Sequence, residues 1–222
     1  MIVLQNQPEP SLVWLGDSIT RAWRNGGRHV WAAHYAGRNA INLGVSGDRI
    51  EDLSNKLDRG LLVGLCPRLV VLHIGTNDLE TASPKDVANG IADIVFRILA
   101  MAPSVQILLH EIFPRGACPH NPIREAVNQA NEILRTVVFG PRVRICSVHV
   151  ELLDEQDVLT RVVSPDGLHL SSEGYSRWAR AIEPEIMRFF PAGLNYYVEK
   201  ALVPMSSREN VRVFTGRQVR RA

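Results

Sequence analysis

Five short apolar runs punctuate this chain, and they leave few folds open to it. They occupy residues 12–15, 40–43, 69–74, 105–112 and 143–148. Each is rich in Val, Ile and Leu with little polar alternation, the pattern of strands covered on both faces. The segments between them have helical spacing. Residues 20–35 carry Trp23 and Trp31. Residues 48–63 place Ile50, Leu53, Leu57 and Leu61 on one stripe. Residues 84–100 follow Ser83, a capping residue, and open on Pro84. Residues 122–138 carry Ile123, Val127, Ile133 and Leu134, and residues 171–190 open Ser171-Ser172-Glu173. Strands alternating with helices predict an α/β protein, a parallel sheet with helices on both faces.

In open sheets of this kind ligands bind outside the carboxyl ends of the strands. The residues that follow each strand are therefore the first candidates for chemistry. Gly16-Asp17-Ser18 follows the first run, placing a hydroxyl beside the free N–H groups of a helix start. Gly44-Val45-Ser46-Gly47-Asp48 follows the second, and the Gly44 N–H can donate to an oxyanion. Gly75-Thr76-Asn77-Asp78 follows the third, and Asn77 brings an amide donor. Before the last helix lies Asp166-Gly167-Leu168-His169, whose acid can hold one imidazole nitrogen while the other faces a nucleophile. Each motif alone has a plainer explanation as a cap or a turn. Together they supply nucleophile, base, orienting acid and oxyanion donors on one rim.

The remaining polar residues carry less. His73 falls inside the third run and reads as a core histidine, and His29, His34, His120 and His149 as structural or surface residues. His110-Glu111-Ile112-Phe113-Pro114-Arg115 either lines a pocket or, for His110, sits in the sheet. Asp48 and Asp78 read as loop braces, and Arg115 as a loop tie rather than a pocket wall. Trp23, Trp31 and Trp178 read as packing residues.

Composition excludes several classes. Of 222 residues, 45% are hydrophobic and 22% charged, the balance of a soluble domain. The net charge of +2 resides in residues 191–222, where six basic side chains meet two glutamates. The first 190 residues are slightly acidic, which argues against a nucleic-acid groove. Cys66, Cys118 and Cys146 are odd in number and far apart, so neither a disulfide framework nor a metal knuckle is expected. Reduced thiols and the lack of a signal-peptide pattern predict a cytoplasmic protein without a membrane span.

With these four blocks the chain resembles the SGNH (GDSL-type) hydrolases over residues 11–190. It looks closest to the branch of the platelet-activating-factor acetylhydrolase catalytic subunits. The likeness rests on Asn42-Leu-Gly-Val-Ser-Gly-Asp48, Ile74-Gly-Thr-Asn-Asp78 and Phe113-Pro-Arg-Gly116. Ile19 departs from the family's name motif, which has Leu there. The resemblance implies a three-layer α/β/α flavodoxin-like sandwich with a five-stranded parallel sheet. It implies ester hydrolysis without metal or cofactor. It assigns Ser18 as nucleophile, His169 as general base, Asp166 as orienting acid, and the Ser18 N–H, Gly44 N–H and Asn77 amide as oxyanion donors. Asp17 is not expected to be the triad acid.

The expected substrate is a short acyl ester, an O-acetylated carbohydrate or small acyl ester. Phospholipid acetylhydrolase, lysophospholipase and thioesterase action use the same machinery. A module that binds acylated ligands without turnover is the non-enzymatic alternative. Residues 1–190 read as one hydrolase domain and residues 191–222 as a basic extension outside the resemblance. Within it, residues 211–216 have strand character suited to pairing with a sheet edge or a second copy, a route to a homo-oligomer.

Overall fold

The apolar runs assemble into one sheet in a computed structural model that describes residues 12–190. The strands are β1 (Leu12–Gly16), β2 (Ala40–Asn42), β3 (Leu69–His73), β4 (Gln106–His110) and β5 (Val143–Cys146). They lie in the order β2-β1-β3-β4-β5, with every neighbouring pair parallel. β1 and β3 pair from Leu12 against Leu69 to Gly16 against His73, and both are buried along their whole length. That burial is why their sequences show no polar alternation.

Seven helices connect and cover the strands. They are α1 (Ser18–Arg21), α2 (Arg28–His34), α3 (Ile50–Asp58), α4 (Pro84–Met101), α5 (Pro122–Thr136), α6 (His149–Leu152) and α7 (Ser172–Met187). Successive strand side chains point to opposite faces, so each strand feeds two cores. Val13, Leu15, Val70, Leu72, Ile107 and Leu109 pack with Leu53, Leu57, Ile91, Val95, Val127 and Leu134 from α3, α4 and α5. Leu12, Trp14, Leu69, Val71 and Leu108 pack on the other face with Trp23, Tyr35, Tyr175, Trp178 and Ile182. Trp14 meets Trp23 and Trp178 edge-on, each at 5.4 Å between ring centroids. Such pairs contribute about 0.5–1.5 kcal/mol each beyond burial of their area. The tryptophans are packing residues, as their helical spacing suggests.

The predicted helix over residues 20–35 is broken. α1 runs into a 3₁₀ turn, Ala22–Arg24, and α2 restarts at Arg28. Asn25-Gly26-Gly27 separates them, and the break lets Gly27 press on the aromatic cluster. A Cβ on Gly27 would lie 2.6 Å from Trp23 Cε3 and 2.9 Å from Tyr175 Cγ. The predicted helix over 48–63 begins at Ile50, where Arg49 and Asp52 form a capping box, and ends before Gly60, whose φ is +86°. α6 had no periodic signal, since four residues are too few to show one.

The chain steps from β1 sideways to β2 and then returns past β1 to β3. Strand order reverses there, and the reversal opens a crevice at the carboxyl ends of β1 and β3. Ser18, Gly44 and Asn77 follow β1, β2 and β3, and all therefore lie around it.

Candidate active site

Gly16 ends β1 where two backbones nearly touch. A Cβ there would lie 2.0 Å from the His73 carbonyl oxygen and 2.3 Å from Thr20 Oγ1, so only glycine fits. Asp17 is the cap of α1, and its Oδ1 accepts the Ile19 N–H at 2.9 Å. Ser18 is the first residue of that helix and is half-buried. Its N–H belongs to the first turn, where no intrahelical partner exists.

The Ser18 hydroxyl meets a residue 151 positions away. Ser18 Oγ lies 2.9 Å from His169 Nε2. His169 Nδ1 lies 2.8 Å from Asp166 Oδ2. A carboxylate can only accept, so Nδ1 carries the proton and Nε2 accepts from the Ser18 hydroxyl. Asp166 Oδ1 also accepts the backbone N–H groups of Leu168 at 2.9 Å and His169 at 2.7 Å. Partial burial raises the Asp166 pKa, but the hydrogen bonds from His169 and Leu168 outweigh it and hold the carboxyl below its ordinary value. Asp166 is thus ionised at neutral pH and fixed to its own loop. An imidazole held this way can take a hydroxyl proton.

The loop that carries Asp166 and His169 is anchored from a distance. Gly116 N–H donates to Gly167 O at 2.8 Å. Arg124, buried on α5, donates to the carbonyls of Arg115, Gly116 and Asp157 at 3.1, 2.5 and 3.2 Å. Sequence reading passed over Arg124. A basic residue near a helix start carries no motif, and its value comes from three distant carbonyls.

The other predicted residues sit on the same rim, with one complication. Asn77 Nδ2 donates to Asp48 O at 2.9 Å, which leaves its second amide hydrogen for another acceptor. Gly44 is buried, and its N–H donates to Asn42 Oδ1 at 2.9 Å. Asn42 in turn donates from Nδ2 to Thr20 O at 2.7 Å. The role of Asn42 was not visible in sequence, although Asn two residues before Gly is a common turn pairing.

The braces behave as expected. Asp48 pairs with Lys56, and Asp78 accepts the Ile50 N–H at 3.1 Å. Arg115 donates to Thr76 O at 2.9 Å and to Glu80 at 2.6 Å, tying the loop after β4 to the loop after β3. His73 is buried, and burial pushes its imidazole down to about 3. His110 belongs to the sheet and not to a pocket wall: it is buried and accepts the Trp178 indole N–H at 3.2 Å. Asp17 does not pair with the histidine in the way Asp166 does. It is buried beneath α1, and burial pushes its carboxyl up to about 7. Among the described residues no cluster of His, Cys, Asp or Glu is arranged to hold a metal ion. Nor is any helix there long and apolar enough to cross a membrane.

Comparison with known proteins places this arrangement. Residues 14–177 match the model of the GDSL-like lipase/acylhydrolase family. Platelet-activating factor acetylhydrolase IB subunit alpha1 of Rattus norvegicus is 29% identical over 181 residues, covering 81% of this chain and 76% of the relative. The alpha2 subunit of Homo sapiens is 28% identical over 190 residues, covering 81% and 77%. Among solved structures, a GDSL-like lipase of Bacteroides thetaiotaomicron superposes with a TM-score of 0.65 at 20% identity, covering 80% of this chain and 87% of that one. A variant of an acetyl xylan esterase of Geobacillus stearothermophilus gives 0.59 at 18%, covering 81% and 94%. These two likenesses concern the fold. The family match spans most of the chain and includes Ser18 and His169. The chain accordingly belongs to the GDSL-like lipase/acylhydrolase family and is a carboxylic ester hydrolase.

Proposed function

We propose that this protein is a serine esterase that removes short acyl groups, acetyl above all, from small esters such as O-acetylated carbohydrates. The observation that carries the reading is the unbroken hydrogen-bond chain from Ser18 Oγ through both nitrogens of His169 to Asp166. His169 takes the Ser18 proton as Oγ bonds to the ester carbonyl carbon. The oxyanion sits among the Ser18 N–H, the Gly44 N–H and the Asn77 amide. As the carbonyl re-forms, the alcohol leaves with the proton held by His169. Water then attacks the acyl-serine, again losing a proton to His169, and the acid departs as Ser18 regains its hydrogen.

The printed names of the curated relatives favour a second substrate, an acetylated phospholipid. The two differ in the alcohol, not in the chemistry at Ser18. Residues 1–190 form the catalytic domain in this reading, and the protein works in the cytoplasm. The expected basic extension and its strand-like residues 211–216 lie outside the described residues, so assembly through them is part of the proposal.

The test uses the full chain with p-nitrophenyl acetate and a fluorophosphonate probe. Wild type hydrolyses the ester and carries the probe on Ser18. Ser18→Ala does neither. Hydrolysis by Ser18→Ala at the wild-type rate overturns the assignment. A panel crossing acyl length with sugar and glycerophospholipid alcohols then separates the two substrates.

A further inference from the structure

We propose that Asn42 is the positioning residue of the oxyanion site, holding the Gly44 N–H in place from the helix that bears the nucleophile. The inference rests on the serine-esterase reading above and assigns a role to a residue outside the four blocks. Asn42 closes β2 and is buried. Its side chain uses both ends. Nδ2 donates to Thr20 O at 2.7 Å and Oδ1 accepts the Gly44 N–H at 2.9 Å. Thr20 lies two residues after Ser18 on α1. One amide group therefore spans from the nucleophile's helix to the oxyanion donor. The Asn42 carbonyl is held as well, by Arg24.

Gly44 itself has no room to shift toward that helix. A Cβ on it would lie 2.6 Å from the Arg21 backbone nitrogen and 2.8 Å from Thr20 Cβ. Packing fixes where Gly44 sits, and the Asn42 oxygen fixes where its N–H points. In the resting enzyme that hydrogen is satisfied by a neutral amide oxygen. When the tetrahedral oxyanion forms, a stronger, charged acceptor arrives beside it. The hydrogen is then shared between the two oxygens as a three-centre bond. The donor needs no reorientation, which is the condition under which such donors accelerate a reaction most. Asparagine suits the place because it is at once donor and acceptor. An aspartate of the same shape cannot donate to Thr20 O, and it sets a negative charge beside the developing oxyanion.

Two variants of the full chain test this, with kcat referred to sites counted by complete fluorophosphonate titration. Counting sites removes any loss of folded protein from the comparison. Asn42→Ala lowers kcat per titrated site by about 10-fold and Asn42→Asp by about 100-fold, both short of or near the loss of a whole oxyanion donor. KM changes by no more than about threefold, because the interaction matters only once the oxyanion exists. If Asn42 only braces β2, melting temperature falls while kcat per titrated site stays at the wild-type value in both variants. That result overturns the proposal.

Wild-type protein gives a second measurement, independent of whether the variants fold. In ¹⁵N-glycine-labelled enzyme, phosphonylation of Ser18 forms the Oγ–P bond, expels fluoride and places a phosphoryl oxygen where the oxyanion belongs. The Gly44 amide proton is expected to move downfield. An unmoved Gly44 resonance in enzyme whose Ser18 is fully labelled by mass overturns the role of Asn42 and leaves the esterase assignment standing. Absence of labelling strikes the esterase assignment itself.

Discussion

Asp166 grips His169 twice. One carboxylate oxygen binds the ring Nδ1 at 2.8 Å and the other binds the same residue's backbone N–H at 2.7 Å. The ring cannot turn about its bond to the main chain without losing the first contact, and the loop cannot relax without losing the second. The three-residue spacing of the pair is what makes this possible.

Replacing Asp166 by Asn separates orientation from charge. The amide oxygen can still accept the backbone N–H groups of Leu168 and His169, so the loop persists. The amide nitrogen, turned toward Nδ1, donates to it and moves the imidazole proton to Nε2, which then cannot accept from Ser18. We expect kcat to fall by about 10³–10⁴-fold with little change in melting temperature. Steady-state kinetics beside a thermal melt decide it, and a variant that keeps a tenth of wild-type kcat contradicts it.

Asn77 should divide its effect differently. Asn77→Ala removes a proposed oxyanion donor and one bond to Asp48 O, at 2.9 Å. The first loss lowers kcat by about 10²–10³-fold. The second costs about 1 kcal/mol of stability. Both appear in one experiment that pairs kcat with a urea melt. A change in KM alone, with kcat intact, argues that Asn77 only shapes the loop.

Asp17 predicts a pH dependence of stability. Burial pushes its carboxyl up from 3.8 to about 7, against the pull of the Ile19 N–H and of His169. Its Oδ2 has no hydrogen-bond partner within the protein. Between those two values the folded chain holds a proton that the unfolded chain has lost, so stability falls as pH rises and levels off above about 7. The whole effect is on the order of 4 kcal/mol. Asp17→Asn keeps the cap and removes the titration. The variant should gain on wild type steadily from pH 4 to pH 8 in urea midpoints, and an equal difference at both ends contradicts the assignment.

Arg124 links a buried guanidinium to catalysis at a distance. Arg124→Gln orphans up to three carbonyls, two of them in the segment that binds Gly167 through Gly116. A loss of about 2–4 kcal/mol is expected. Fluorophosphonate labelling of the folded fraction should slow as well, because the Asp166–His169 loop loses its anchor. Wild-type labelling rates in a destabilised variant make Arg124 purely structural.

Much of this was legible in one dimension. The apolar runs over 12–15 and 69–74 contain strands β1 and β3 because buried parallel strands need continuous apolar sequence. Ser83 and Ser171 cap α4 and α7 through their hydroxyls. Ser18, Gly44, Asn77 and the Asp166–His169 pair fall where a parallel sheet gathers the ends of its strands, so their nearness follows from the order of the elements. The break in residues 20–35 was less legible, since Gly26 and Gly27 interrupt a helix only when something, here Trp23 and Tyr175, needs the space.

What the chain determines by itself is periodicity, and periodicity yields the strands, the helices and the rim on which the polar residues meet. What only the tertiary structure decided is which hydrogen bond each of those residues makes. His169 faces Ser18 across 151 positions, Asp166 and not Asp17 holds its other nitrogen, and the Gly44 N–H rests on Asn42. Hydrogen bonds demand a direction and a distance to within a few tenths of an ångström. Local patterns specify neither for groups brought together by the packing of a whole sheet.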